Sequence, residues 1–181
     1  MSSLNARRRA CAVLLSSATL AATTLLVSPA WASPSPDADP IADVDGTVFA
    51  STQVGQRTFI AGAFTTAGGQ PHLNAAAIRA DGTVDPLWTP SPDGRVYAIA
   101  PSEDGSTIYL GGEFTSVGGS PRARLVAVDA VTGDLVPGWR ANAPGEVSAL
   151  AVSGDRLYAG GLFKRIDGGD PPARGPDRVD R

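Results

Sequence analysis

An all-β architecture, a partial β-propeller built of four-stranded antiparallel blades, is what this sequence predicts, and three observations predict it. First, a short apolar segment containing glycine occurs three times: Phe59-Ile60-Ala61-Gly62-Ala63-Phe64-Thr65, Ile108-Tyr109-Leu110-Gly111-Gly112-Glu113-Phe114-Thr115 and Leu157-Tyr158-Ala159-Gly160-Gly161-Leu162-Phe163. Gly62, Gly112 and Gly161 are 50 and 49 residues apart. Second, Gly46-Thr47-Val48-Phe49-Ala50 matches Gly94-Arg95-Val96-Tyr97-Ala98 and Gly145-Glu146-Val147-Ser148-Ala149, at steps of 48 and 51. Third, Val84-Asp85-Pro86-Leu87-Trp88 is answered by Val136-Pro137-Gly138-Trp139, with the tryptophans 51 apart. Three markers at one period signal a propeller or a repeat array.

The N-terminus reads as a leader. Arg7, Arg8 and Arg9 form a basic start, 10–27 is apolar but diluted with Ser and Thr, and Ala30-Trp31-Ala32 offers small residues around one large one. That is the pattern of a secretory signal peptide over 1–32, with cleavage before Ser33. An uncleaved anchor fits less well, because this mixed segment barely reaches spanning length. Ala10-Cys11 after the arginines is a weak match to twin-arginine export. Residues 33–45, SPSPDADPIADVD, are rich in proline and acid and read as a solvated linker.

Export would change the composition. The one cysteine, Cys11, would leave with the leader, so packing alone would hold the mature chain. Lys plus Arg would fall from 15 to 12 against 18 Asp plus Glu, taking the net charge from −3 to −6. An acidic chain without a basic stripe argues against a nucleic-acid partner. Nothing after Val27 is long and apolar enough to predict a membrane span.

The repeats divide as 46–93, 94–144 and a truncated 145–169, followed by a tail over 170–181. In the middle repeat, Val96-Tyr97-Ala98-Ile99-Ala100 is a short apolar run that fits a strand buried on both faces. Asp104-Gly105 supplies a tight turn. Ile108-Tyr109-Leu110 is the second strand, and Gly111-Gly112 marks a bulge or a close backbone approach. Val117-Gly118-Gly119-Ser120-Pro121 reads as a loop and Leu125-Val126-Ala127-Val128 as the third strand. Thr132-Gly133-Asp134 turns the chain, and Leu135-Val136 starts a fourth strand ending near Trp139. No amphipathic helix is readable after residue 33. Continuous apolar strands favour blades stacked on both faces over a sandwich, whose strands would alternate. The tail, DPPARGPDRVDR, reads as disordered where the third and fourth strands of the last blade should be. About two and a half repeats cannot close a propeller, which takes roughly four to eight blades. The chain is therefore expected to be a fragment, or to have lost sequence at its tail, or to self-associate over its open blade faces.

With these markers in place, Leu110-Gly111-Gly112-Glu113-Phe114-Thr115-Ser116-Val117-Gly118-Gly119 resembles the core of the delta-60 type β-propeller repeats of secreted bacterial proteins. Ala77-Ile78-Arg79-Ala80-Asp81-Gly82-Thr83-Val84-Asp85 resembles the middle of the same repeat, and the likeness covers 46 to about 169. It implies a secreted or surface propeller module and no particular chemistry. Ala127-Val128-Asp129-Ala130-Val131-Thr132-Gly133, followed by Trp139, is similar to the tryptophan-docking motif of quinoprotein-like propellers, although the spacing here is six residues where that motif has four. That likeness implies blade-to-blade packing and not a quinone site.

The chemistry-bearing residues have plainer roles. His72, the one histidine, sits in Gly68-Gly69-Gln70-Pro71-His72 and reads as a solvated loop residue, since it forms neither a triad nor a zinc site alone. Asp45, Asp81, Asp104 and Asp167 lie in Asp-Gly turns that account for them. Asp43-Val44-Asp45-Gly46 lacks the remaining ligands of a calcium loop. Asp85 has no exact counterpart in the next repeat, and Ser51 and Ser148 have no base in any readable motif. Trp88, Trp139, Tyr97, Tyr109 and Tyr158 recur with the repeat, which favours packing between blades over an exposed carbohydrate platform. No catalytic, cofactor-binding or metal-binding residue is assigned, no cofactor is implied, and the binding residues stay open. The sequence thus points to a secreted propeller module that binds an extracellular protein or carbohydrate. The alternative is a fragment of an exported hydrolase or quinoprotein-like enzyme whose site lies elsewhere.

Overall fold

The computed structural model describes residues 42–166 and 177–180. The expected leader, most of the linker and Asp167 lie outside the described residues. Among those residues the chain is all-β. The first blade comprises β1 (Thr47–Val54), β2 (Arg57–Ala63), a small hairpin of β3 (Thr66–Ala67) and β4 (Gln70–Pro71), and β5 (Ala75–Ile78). The second repeats it as β6 (Val96–Pro101), β7 (Thr107–Gly112), β8 (Ser116–Val117), β9 (Ser120–Pro121) and β10 (Leu125–Asp129). The third contains β11 (Val147–Ser153), β12 (Arg156–Gly161) and β13 (Asp177–Asp180). The antiparallel sheets run β1-β2-β5, β6-β7-β10 and β11-β12-β13.

Each sheet holds three laddered strands, and in the first two blades the expected fourth strand shrinks to one bridge, Ile78–Val84 and Val128–Leu135. Pro86 and Pro137 follow two residues later, and neither has an N–H to extend a ladder. The stretch read as a loop at 117–121 contains the β8–β9 hairpin, whose Gly118 and Gly119 have φ of 55° and 75°, the left-handed pair of a two-residue turn. The 170–181 tail was expected to lack structure. Its residues 177–180 instead pair with β12, Arg156 opposite Asp180 to Ala159 opposite Asp177, in the place of a third strand.

The recurring glycines have a common cause. Register shifts in all three first strands step over Phe49, Tyr97 and Ser148, so each carries a bulge at its start. A Cβ on Gly62, Gly112 or Gly161 would sit 2.0 Å from the carbonyl oxygen of Thr47, Arg95 or Glu146 respectively. Only glycine lets the bulged strand close on its partner there.

Side-chain alternation then divides each strand between two cores. On β7, Ile108 and Leu110 pack with Phe59, Ala61, Ala75 and Trp88 of the first blade. Tyr109 points the other way, into a core with Val147, Leu157 and Ala159 of the third blade. On β10, Val126 and Val128 join the first core while Leu125 and Ala127 join the second. This is why the middle blade reads as continuous apolar runs. β1, in contrast, leaves every second residue exposed along most of its length.

A carboxylate latch ties each of the first two blades to its small hairpin. Asp45 accepts from the Thr65 N–H at 2.8 Å, the Thr66 N–H at 2.9 Å and the Thr65 hydroxyl. Asp93 repeats this with Thr115 and Ser116, at 2.7 Å from the Thr115 N–H and 2.9 Å from the Ser116 N–H. The third blade has Pro144 where the acid should be and Lys164 where the threonine should be.

Candidate binding cleft

Trp88 and Trp139 end the same segment of two blades, and the structure treats them differently. Trp88 is fully buried. Its ring meets Phe59 edge-on at 4.9 Å, and its Nε1 donates to the Asp129 carbonyl of the next blade at 3.0 Å. Beside it lies an ion network. Asp85, 7% exposed, pairs with Arg57 and, at 3.0 Å, with Arg79, and accepts from the Leu87 N–H at 3.1 Å. Arg57 lies 5.2 Å from the Phe59 ring centre and donates to the Ala130 carbonyl. Burial pushes the Asp85 carboxyl up, but the Leu87 N–H and the two guanidinium groups outweigh it and hold it below its ordinary value.

Hydrogen bonds and glycine spacing match the second blade to this arrangement. Asp85 N–H donates to the Ala77 carbonyl as Val136 N–H donates to Ala127, so Asp85 to Trp88 correspond to Val136 to Trp139. Counting back from Gly62 and Gly112, Arg57 corresponds to Thr107 and Phe59 to Tyr109. The β1–β2 turn has two residues between Val54 and Arg57; the β6–β7 turn has four between Ser102 and Thr107. Among the described residues the Arg57–Asp85 pair has Thr107 and Val136 as its counterparts, and a cavity of about 360 Å³ lies at this place. Thr107, Tyr109, Trp139 and the Val136-Pro137-Gly138 segment line it, and the longer turn adds Ser102, Asp104 and Ser106. Trp139 is only partly buried, with its ring centre 5.9 Å from that of Tyr109 at 47°. The Asp104 carboxylate accepts from the Ser102 hydroxyl, from the Ser106 hydroxyl at 2.9 Å and from the Ser106 N–H at 3.1 Å.

A second, wider cleft of about 500 Å³ lies between Asp45, Asp93, Arg95 and Glu113. Its charges serve the fold. The two aspartates are the latches, and Arg95 pairs with Glu113 at 3.2 Å.

His72 is not a solvated loop residue. It is 2% exposed, and its Nδ1 has no hydrogen-bond partner among the described residues. Burial lowers its pKa, against an opposing pull from the Asp85 charge. Ser51 is exposed on β1, and Ser148 takes the bulge place of Phe49 and Tyr97 and donates to Glu146 at 3.2 Å. Asp81 accepts from the Thr83 hydroxyl and N–H, which lower its pKa, as its turn predicts. Among the described residues no group of three His, Cys, Asp or Glu is placed to hold a metal ion. The cleft itself was not read from the sequence.

Residues 57–87 and 103–126 match a family described as "Domain of unknown function (DUF5122) beta-propeller". This chain carries β-propeller repeats. The two matched segments run through the Arg57–Asp85 network of the first blade and through the β6–β7 turn, β7 and the start of β10 of the second. No curated protein matches this propeller chain.

Proposed function

We propose that this propeller is a secreted, non-catalytic binding module, of the delta-60 type its glycine-rich segments resemble, and that its ligand enters the cleft at Trp139. The observation that carries this is the change between blades. One ion network fills and closes the first site, and its loss leaves an aromatic side and a hydroxyl-rich side in the second. The volume lies within the range of small-molecule sites, roughly 300–1,000 Å³. The carboxylates also favour binding over acid–base work. A general acid needs a raised pKa. Asp45 and Asp93 are instead held down to about 2. For Asp45 the Thr65 hydroxyl is the chief cause; for Asp93 burial pulls upward, and donors from Ser116 and Thr115 overcome it. The leader pattern over 1–32 supports export.

The test is sedimentation of the exported chain with cell-envelope material of its host, alongside a screen for hydrolysis of polysaccharides and chromogenic esters. The expected result is co-sedimentation without product release, reduced in Thr107→Arg, which places the first blade's arginine in the cleft. Turnover that disappears when an acidic pair is replaced would establish the exported-hydrolase alternative. Co-sedimentation indifferent to Thr107→Arg would remove the cleft as the site.

A further inference from the structure

We propose that two copies of this chain join head to tail into one ring. The third blade of each copy receives the first blade of the other. Exposure along the first strand of each blade marks the two joining faces. On β11, Ala149, Ala151 and Ser153 are exposed, while Leu150 and Val152 pack toward the second blade. On β1 the parity is reversed. Ser51 and Gln53 are exposed, while Ala50 and Val54 pack toward the second blade. On β6 between them, Ala98, Ile99 and Ala100 are all buried. The two open faces therefore lie at opposite ends of the stack.

The joint between the second and third blades shows what fits such a face. Val147 of the third blade lies over Gly111 of the second, where a Cβ would sit 2.6 Å from Val147 Cγ1. Gly160 holds the place of Gly111 in the third blade, opposite Ala149 as Gly111 is opposite Ala98. Among the described residues, a Cβ on Gly160 would meet only the Ala149 Cβ, at 3.7 Å. That socket stands open. The matching knob is at the other end of the stack. Val48 pairs with Gly62 as Val147 pairs with Gly161, yet Val48 is 40% exposed and Val147 is buried. Val48 of a second copy supplies what the socket over Gly160 lacks.

Charge agrees with this occupant. Arg156 starts β12 where Arg57 starts β2, and Arg57 donates to the Ala130 carbonyl of the following blade. In the first blade the place of Ala130 belongs to Ala80, and the exposed Asp81 follows it. A second copy thus brings an acceptor and an acid to the exposed Arg156. Ser51 and Thr58 stand on this face where the second blade has Ile99 and Ile108, so the joint buries less apolar surface than an inner one and is weaker. A head-to-tail joint closes a ring or runs on as a filament. Two copies of three blades give six, within the roughly four to eight that close a propeller.

The deciding experiment is sedimentation velocity of the exported chain over about 1–100 µM. The mass should rise with concentration from one copy to two and stop there. Val48→Asp removes the knob and Gly160→Glu blocks the socket. Each variant alone should stay monomeric at the top of that range, with an unfolding midpoint at the lowest concentration within error of wild type. Mixed in equal amounts, they should recover pairing that neither shows alone, because the knob of one still meets the socket of the other. A wild-type chain that stays monomeric throughout would overturn the proposal and make the polar face of the first blade a terminal cap. Pairing that survives Val48→Asp but not Gly160→Glu would also overturn it, since that is the mark of a two-fold joint between third blades. Masses that climb past two copies would overturn the closed ring. None of these results touches the Trp139 cleft, whose lining lies within one copy.

Discussion

Asn74 and Arg124 occupy the same place in consecutive blades, and both hold the left-handed backbone conformation, at φ 58° and 64°. Each also holds the segment that leads into the next blade. Asn74 Nδ2 donates to the Pro92 carbonyl at 2.9 Å, and Arg124 Nη1 to the Ala143 carbonyl at 3.2 Å. One residue thus sets the local turn and fastens the connection to the following blade. Asn74→Ala should cost about 2 kcal/mol, combining a lost hydrogen bond with a strained φ. Asn74→Gly keeps the conformation and should cost about 1 kcal/mol. Urea unfolding of the two variants measures the difference; equal midpoints would mean that the conformation contributes nothing.

The two tryptophans should separate in the same assay. Trp88→Ala removes a sealed indole and its bond to Asp129, a loss of about 3–5 kcal/mol. Trp139→Ala removes a partly exposed ring and should lose about 1–2 kcal/mol. A larger loss at Trp139 would place it in the core and deny it to a ligand.

Acid should act in two steps. His72 has a folded pKa below its ordinary 6.5, so the unfolded chain takes up the proton first. Stability is then complete above pH 6.5 and declines as pH falls through that value. Asp45 and Asp93 are lowered from 3.8 to about 2. Their contribution is present above pH 3.8 and is lost as pH falls from there towards 2. His72→Gln should flatten the upper step, and Asp45→Asn with Asp93→Asn the lower. A stability profile unchanged by both sets would refute the assignment.

The third blade offers a gain. Pro144→Asp alone should be near neutral, since a new acceptor is offset by a more flexible unfolded chain. Together with Lys164→Thr it rebuilds the latch of Asp45 and Asp93, and should add about 0.5–1 kcal/mol. A double variant no more stable than Pro144→Asp would show that the third hairpin cannot adopt the latched geometry.

What the sequence disclosed depended on how local the cause was. The glycines at 62, 112 and 161 and the tryptophans at 88 and 139 announced the repeat, because a bulge and a blade end demand particular residue types at fixed spacing. The latches escaped notice. Asp45 looked like a turn residue, and its true partners lie about twenty residues onward across a sheet. His72 was misplaced because proline and glycine around it suggested a loop, whereas tertiary packing encloses it. The cleft needed two substitutions to be read together, Arg57 against Thr107 and Asp85 against Val136. Arg57 and Thr107 sit just outside the recurring glycine segment, and Asp85 and Val136 lie inside a recurring segment whose tryptophan drew the attention.

The division of β7 between two cores reverses an ordinary assumption about neighbours in sequence. Ile108 and Tyr109 are joined by a peptide bond, yet their side chains belong to separate packing units on opposite sides of one blade. Truncating both should be close to additive. Ile108 and Phe59 lie far apart along the chain but share one unit, and their truncations should interact. Energetic communication in this molecule therefore runs across the stack of blades, and each strand behaves as a partition between compartments.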